Sequence, residues 1–243
     1  MRRRTIRWTV RILVATSLVL GLFIALRWTT GNFGTVEPDR IYRAAQLSPS
    51  SLARTIEQSH IKTVLNLRGA NHDQAWYRQE RQATLAAGAT QVDFPMSSDQ
   101  WLSIEQVRTL LEILDKSEYP ILIHCEWGAE RTGLVSAICE LIRPGSTIDD
   151  ARGEFSPYYM FLPIKDGLVM RGHLDRYRSW LDQIDSSHSP GTFRHWLLSD
   201  YRPGSPSRQY WECNPYPLKV VSRPGTESVT QWGEKKCPPS TIR

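Results

Sequence analysis

A chain of 243 residues can bury one sizeable core with room for an appendage, and its composition, 40% hydrophobic and 23% charged, is that of a globular protein. The net charge of +5 is local: Arg2, Arg3, Arg4, Arg7, Arg11 and Arg27 lie in the first 27 residues, which hold no acid, and the remainder carries 24 basic against 25 acidic residues. That balance removes the electrostatic case for a nucleic-acid partner of the folded part.

Residues 12–26 form an uncharged apolar run of 15. As a helix it covers about 22 Å, short of the roughly 30 Å hydrocarbon core. With Arg11 and Arg27 snorkelling outward and Trp8 and Trp28 at the two interfaces, a thin or tilted span is expected. The competing reading is the apolar region of a cleaved signal peptide, although Leu26-Arg27-Trp28 is a poor cleavage site. On either reading the five arginines that precede the run stay cytoplasmic and the rest of the chain lies outside the cytoplasm, membrane-anchored or secreted. Residues 1–30 are thus an anchor or signal segment, 35–201 a candidate catalytic domain and 202–243 a tail.

The segment Gly31-Asn32-Phe33-Gly34 reads as a short linker, and Ile41-Tyr42-Arg43 as an opening strand. Ser48 is a suitable N-cap with Pro49 in the first turn, and Leu52 and Ile56 give that helix an apolar face to about Ser59. Thr63-Val64-Leu65-Asn66-Leu67 is a buried strand ending at Arg68-Gly69. Residues 73–87 read as a helix stopped by Gly88, and Gln91-Val92-Asp93-Phe94 as a strand ended by Pro95. Ser103 and Gln106 make a capping box, followed by a buried stripe at Ile104, Val107, Leu111 and Leu114. Residues 119–124 form the next strand.

Further helices are expected from Thr147, over residues 171–184 with Leu174, Tyr177 and Leu181 inward, and over residues 192–201 with Phe193, Trp196 and Leu197. Strands alternating with helices predict an α/β fold with a central, mostly parallel sheet flanked by helices. From Arg202 the pattern is lost, with seven prolines in 42 residues, so the tail is expected to be irregular. Cys139 falls on the inward side of a helix; Cys213 and Cys237, in the tail, either form one disulfide or remain free thiols.

Chemistry is concentrated where the strand 119–124 ends. Ile121-Leu122-Ile123-His124-Cys125-Glu126-Trp127-Gly128-Ala129-Glu130-Arg131-Thr132-Gly133 passes from an apolar strand through a tight loop into a helix. Backbone N–H groups at a helix N-terminus converge on a phosphate-sized hole. A cysteine at its base should ionise easily beside Arg131. Such a loop would lie at the carboxyl end of a strand, where open α/β sheets bind ligands. The bland alternative is a structural cysteine beside a surface arginine.

His124-Cys125, five residues, Arg131-Thr132-Gly133 resembles the signature loop of the cysteine-dependent tyrosine and dual-specificity phosphatases. A rhodanese-like sulfurtransferase would more often space its loop one residue shorter. Tyr42-Arg43 with Gln46-Leu47, a helix, and Asn66-Leu67-Arg68 are similar to what precedes that loop in atypical dual-specificity phosphatases of bacterial and fungal type, extending the resemblance over about residues 40–145. The resemblance implies a protein tyrosine phosphatase-like fold and a metal-independent phosphomonoester hydrolase without cofactor. Cys125 would be the nucleophile, and Arg131 with the amides of Glu126, Trp127, Gly128, Ala129 and Glu130 would hold the phosphoryl oxygens. Thr132 would hydrogen-bond the sulfur, His124 would order the loop, and Gly128 and Gly133 would let the backbone turn and approach phosphate closely.

The general acid is expected on an upstream loop, and Asp99 is the candidate, with one residue more between Pro95 and the Asp than the family's Pro-x-x-Asp context. Asp93 is the fallback, though its place in a strand suggests a structural role, and Asn66 and Arg68 are expected to brace loops. Glu126 and Glu130 should repel a second phosphate, and Trp127 could stack on an aromatic leaving group or pack on the tail. A phosphotyrosine-type or singly phosphorylated substrate follows. The rivals are a lipid, phosphoinositide or inositol phosphate phosphatase, and a module that binds phosphate without turnover.

Overall fold

The computed structural model describes residues 2–204 and 218–225, with side chains from residue 8. A long helix, α1 (Arg2–Thr29), leads into the hairpin β1 (Gly34–Glu37) and β2 (Ile41–Ala44). The chain then alternates through α2 (Pro49–Gln58), β3 (Thr63–Asn66), α3 (Ala75–Ala86), β4 (Thr90–Asp93), α4 (Ile104–Lys116), β5 (Ile121–His124) and α5 (Glu130–Ile142). It closes with α6 (Ile148–Gly153), a 3-10 turn at Pro157–Tyr159, α7 (Asp166–Gln183), α8 (Pro190–His195) running into a wide turn at Trp196–Asp200, and β6 (Val220–Ser222).

The six strands lie in the order β1-β2-β5-β3-β4-β6. The four central strands are parallel and only the edge strands β1 and β6 run antiparallel, as the alternation of strands and helices predicts. Strand periodicity sorts the side chains: Leu65, Ile121 and Ile123 face the core built by α4, α5, α7 and α8, while Val64 and Leu122 face Leu52 and Ile56 of α2. Burial on both faces is why these strands read as continuous apolar runs.

The helix starts follow their caps. Ser48 accepts from Ser51 N, Ser103 and Gln106 cap each other, and Thr147 does the same with Asp150. α7 begins five residues before the expected Arg171, because Gly167 and Met170 are already packed in the core.

Two sequence expectations are corrected. The tail is not irregular throughout: among its described residues, β6 pairs with β4 and matches Val221 to Val92, covering a sheet edge otherwise open to further pairing. Arg27 does not snorkel outward. It folds back, 5% exposed, and donates to Asn32 Oδ1 at 3.1 and 2.7 Å. Cys213 and Cys237 lie outside the described residues.

Register sets the position of the site. Ala44 of β2 and Asn66 of β3 flank His124 of β5, and Asp93 of β4 flanks Asn66. The carboxyl ends of four parallel strands therefore open at one level, and the loops 45–48, 67–74, 94–103 and 125–129 meet there.

Candidate active site

Cys125 follows the last residue of β5 and Glu130 opens α5, so the intervening loop turns from strand to helix in five residues. The turn needs a left-handed residue, which Gly128 supplies with φ +69°. A Cβ there would also stand 2.6 Å from Ala45 N and 2.7 Å from Ala44 O, so the loop lies directly on the end of β2. Gly133 is also required by packing. A Cβ on it would come 3.1 Å from Glu154 O and from Phe155, so it lets α5 pack against the chain following α6.

Cys125 is 1% exposed at the base of this loop. Its Sγ accepts a hydrogen bond from Gly128 N at 3.3 Å. Burial pushes the thiol up; the Arg131 charge, the Thr132 hydroxyl and the amides of Thr132 and Gly128 pull it down, and the net result lies below the ordinary thiol value. The buried Thr132 Oγ1 has no protein partner at ordinary hydrogen-bond length, and its closeness to the sulfur is felt in that lowered pKa. Cys139, buried in α5 without such donors, is pushed up, chiefly by desolvation. The surroundings of the two thiols thus push their pKa values in opposite directions.

Beneath the loop a polar network fixes its base. His124 Nδ1 lies 3.3 Å from Cys125 O, and Nε2 lies 3.2 Å from Glu80 Oε1 of α3, both side chains being buried. Burial pushes the imidazole down, but the Glu80 carboxylate more than offsets it and the ring's pKa is raised. Glu80 Oε2 accepts from Gln46 Nε2, and Gln46 Oε1 accepts from Arg68. Arg68 stacks 3.7 Å over Trp76 and approaches Glu126 at 3.7 Å. Burial lowers its pKa, with Glu126 opposing and Arg131 adding to the fall.

A second set of donors holds the loop's outer edge. Arg43 is fully buried, paired with Glu154 at 2.5 Å and donating to Gly128 O at 2.6 Å. Asn32 Nδ2 donates to Trp127 O at 3.0 Å, Gly128 O at 3.3 Å and Tyr159 O at 2.9 Å. Residues 31–34 are therefore no plain linker. The sequence carries no periodic or motif signal for Asn32, Glu80 or Glu154, because each acts across a fold that only tertiary contact creates.

Among the expected site residues, Glu126 and Trp127 are exposed, Glu130 and Arg131 half-buried, and Gly128, Ala129, Thr132 and Gly133 buried. Trp127 packs on Trp28 at the end of α1, with ring centroids 5.3 Å apart. Asp99 is exposed and accepts from Ser97 Oγ. Its loop is tied to α7: Ser98 Oγ donates to Asp166 Oδ2 at 2.9 Å, Leu102 N donates to His173 Nε2 at 3.1 Å, and the Trp101 ring lies 4.5 Å from that of His173. Asp93 is fully buried, receiving bonds from Tyr77, Gln91 and Asn66, which suits the structural role expected of it. Asn66 braces its loop by accepting from Arg68 N at 2.9 Å and donating to Gly69 O at 3.1 Å. Among the described residues no three His, Cys, Asp or Glu side chains converge as a metal site would require.

A family model described as DSP-PTPase phosphatase fused to NAD+ kinase matches residues 29–160. Among solved structures, the core catalytic domain of the PP-IP phosphatase SIW14 from S. cerevisiae is 20% identical with a TM-score of 0.47, covering 63% of this chain and 93% of that one. TpbA from P. aeruginosa is 22% identical with a TM-score of 0.45, covering 62% of this chain and 91% of that one. A putative phosphatase from Neisseria meningitidis is 22% identical with a TM-score of 0.44, covering 58% and 95%.

Proposed function

The chain belongs to the dual-specificity and tyrosine phosphatase family whose model spans residues 29–160, and from that membership we propose a metal-independent phosphomonoesterase acting through a cysteinyl-phosphate. One observation carries the reading: Cys125 is a buried thiol whose pKa nonetheless falls below the ordinary value, in a loop shaped for an anion.

In the first step the Cys125 thiolate attacks phosphorus in line. An S–P bond forms, the P–O bond to the leaving group breaks, and Asp99 gives that oxygen its proton. Arg131 and the loop amides bind the equatorial oxygens and hold them more tightly as charge spreads in the transition state. In the second step Asp99 takes a proton from water, the resulting nucleophile attacks phosphorus, and the S–P bond breaks to release inorganic phosphate. The Thr132 hydroxyl, which already lowers the thiol's pKa, donates to the departing thiolate. Glu126 and Glu130 flank the opening and disfavour a second phosphate, so the reading is a singly phosphorylated substrate of the phosphotyrosine type.

The apolar part of α1 serves in this reading as an uncleaved anchor. The run 12–26 lies within Trp8–Thr29, a helix long and apolar enough to cross a membrane, and the arginines that precede the run keep the N-terminus cytoplasmic and the catalytic domain outside.

Replacement Cys125→Ser tests the chemistry. Hydrolysis of p-nitrophenyl phosphate is expected to vanish while a phosphotyrosine peptide still binds. Turnover at the parent rate would refute the covalent route, and loss of binding along with turnover would point to a collapsed loop.

A further inference from the structure

We propose that the rim of the site at residues 157–168 docks on the same bilayer that α1 enters, so that the phosphate loop acts on phosphomonoesters held at the membrane surface. The inference rests on the phosphatase and anchor readings given above.

The first observation is that no free linker separates helix and site. α1 is exposed through its apolar run and meets the domain only near its end. There the Phe23 ring lies 6.4 Å from that of Tyr158, the Arg27 guanidinium sits 4.2 Å over Tyr158, and Trp28 packs on Trp127 of the phosphate loop. Gly31 and Asn32, both with positive φ, turn the chain at once into β1. A bilayer holding the apolar run must therefore reach the level of the catalytic loop.

The second is where the rim runs. It starts beside α1 at Tyr158, whose ring reaches a full helical turn up the apolar run to Phe23. Asn32 ties Tyr159 O to the phosphate loop, and toward the far end of the segment Asp166 is bonded to Ser98 of the Asp99 loop. The rim thus links the helix end to the loop bearing the proposed acid.

The third is its surface. Tyr158, Leu162, Ile164 and Leu168 are each more than half exposed, and residues 157–165 contain no acid and end on exposed Lys165. Nothing among the described residues covers this patch. Aromatic and aliphatic side chains beside a lysine suit a bilayer interface, where apolar groups enter the acyl boundary and the ammonium stays among headgroups.

The test uses the full chain reconstituted in phosphatidylcholine vesicles containing a diazirine-bearing phosphatidylcholine, with labelled peptides read by mass spectrometry. Labelling of residues 157–168 alongside α1 is expected. Heavy labelling of α1 with none on the rim, or none on α1, would overturn the proposal. A double variant, Leu162→Glu with Ile164→Glu, separates docking from chemistry. It should cleave soluble p-nitrophenyl phosphate at the parent rate but lose about tenfold on a lipid-tethered phosphotyrosine peptide in the vesicles. Equal loss on both substrates, or on neither, would sink it. A chain inactive on every substrate yet labelled at the rim would instead count against the phosphatase reading alone.

Discussion

Asn32 Nδ2 donates to Gly128 O, 96 residues away, from a position at which the Asn32 carbonyl oxygen also receives the Arg27 guanidinium. One amide thus joins the end of α1 to the loop that follows Cys125. Replacing it with alanine leaves the buried Arg27 guanidinium only Phe33 O and takes the Asn32 donor from Trp127 O and Tyr159 O, while Gly128 O keeps its bond from Arg43, a loss of about 2–4 kcal/mol. Asn32→Ala is expected to unfold at correspondingly lower urea concentration and to lose about tenfold in kcat/KM on p-nitrophenyl phosphate. A variant as stable and active as the parent would refute the strut.

The assignment of Asp99 is open to a leaving-group test. A general acid contributes on the order of 100-fold when the departing oxygen is basic, and little when it leaves readily as an anion. Asp99→Asn should therefore cut kcat strongly on phenyl phosphate and weakly on p-nitrophenyl phosphate. Equal losses on the two would remove Asp99 from the reaction.

Glu126 and Glu130 can be reversed in charge. Glu126 already engages Arg68 at 3.7 Å, so its removal also frees that cation toward the mouth of the site. The double variant Glu126→Lys, Glu130→Lys should shift the ratio of kcat/KM for an inositol polyphosphate over a phosphotyrosine peptide by about tenfold toward the former. An unchanged ratio would mean that the two acids do not govern charge selection.

His173 makes acid a structural hazard. Burial is the main cause of its pKa being lowered to about 4, with Arg176 adding to it, although its backbone contacts at Val169 and Met170 pull the other way. Because Nε2 accepts from Leu102 N, the neutral ring carries its proton on Nδ1, toward Val169 O at 3.0 Å. An unfolded chain takes up a proton near pH 6.5 and the folded one does not, so the contribution is complete above 6.5 and is lost as pH falls toward 4. The loss amounts to about 3 kcal/mol. Urea unfolding at pH 7, 5 and 4 should show a steeper decline for the parent than for His173→Asn. Parallel curves would contradict it.

Local rules carried far along this chain. The caps at Ser48, Ser103 and Thr147, the strand at Ile121-Leu122-Ile123, and the spacing from Cys125 to Arg131 were readable because each depends on neighbours within a few residues. The family followed from the same loop, since a strand, a turn and a helix N-terminus are all encoded locally.

The parts that escaped were those built across the sheet. Arg27 looked like a membrane flank, and Asn32 like a linker residue. Glu80 carries no motif or periodic signal within its helix, yet it sits 2% exposed under His124. β6 lay hidden in a proline-rich tail because three residues are too few to show a period, and its pairing depends on the exposed edge of β4. The sequence alone determined the family and the strand, loop and helix that carry Cys125 and Arg131, because those depend on contiguous residues. Only tertiary structure decided what holds the loop still and what surrounds its mouth, because a buried polar group is satisfied by whatever the fold brings within 3 Å, not by its neighbours in the chain.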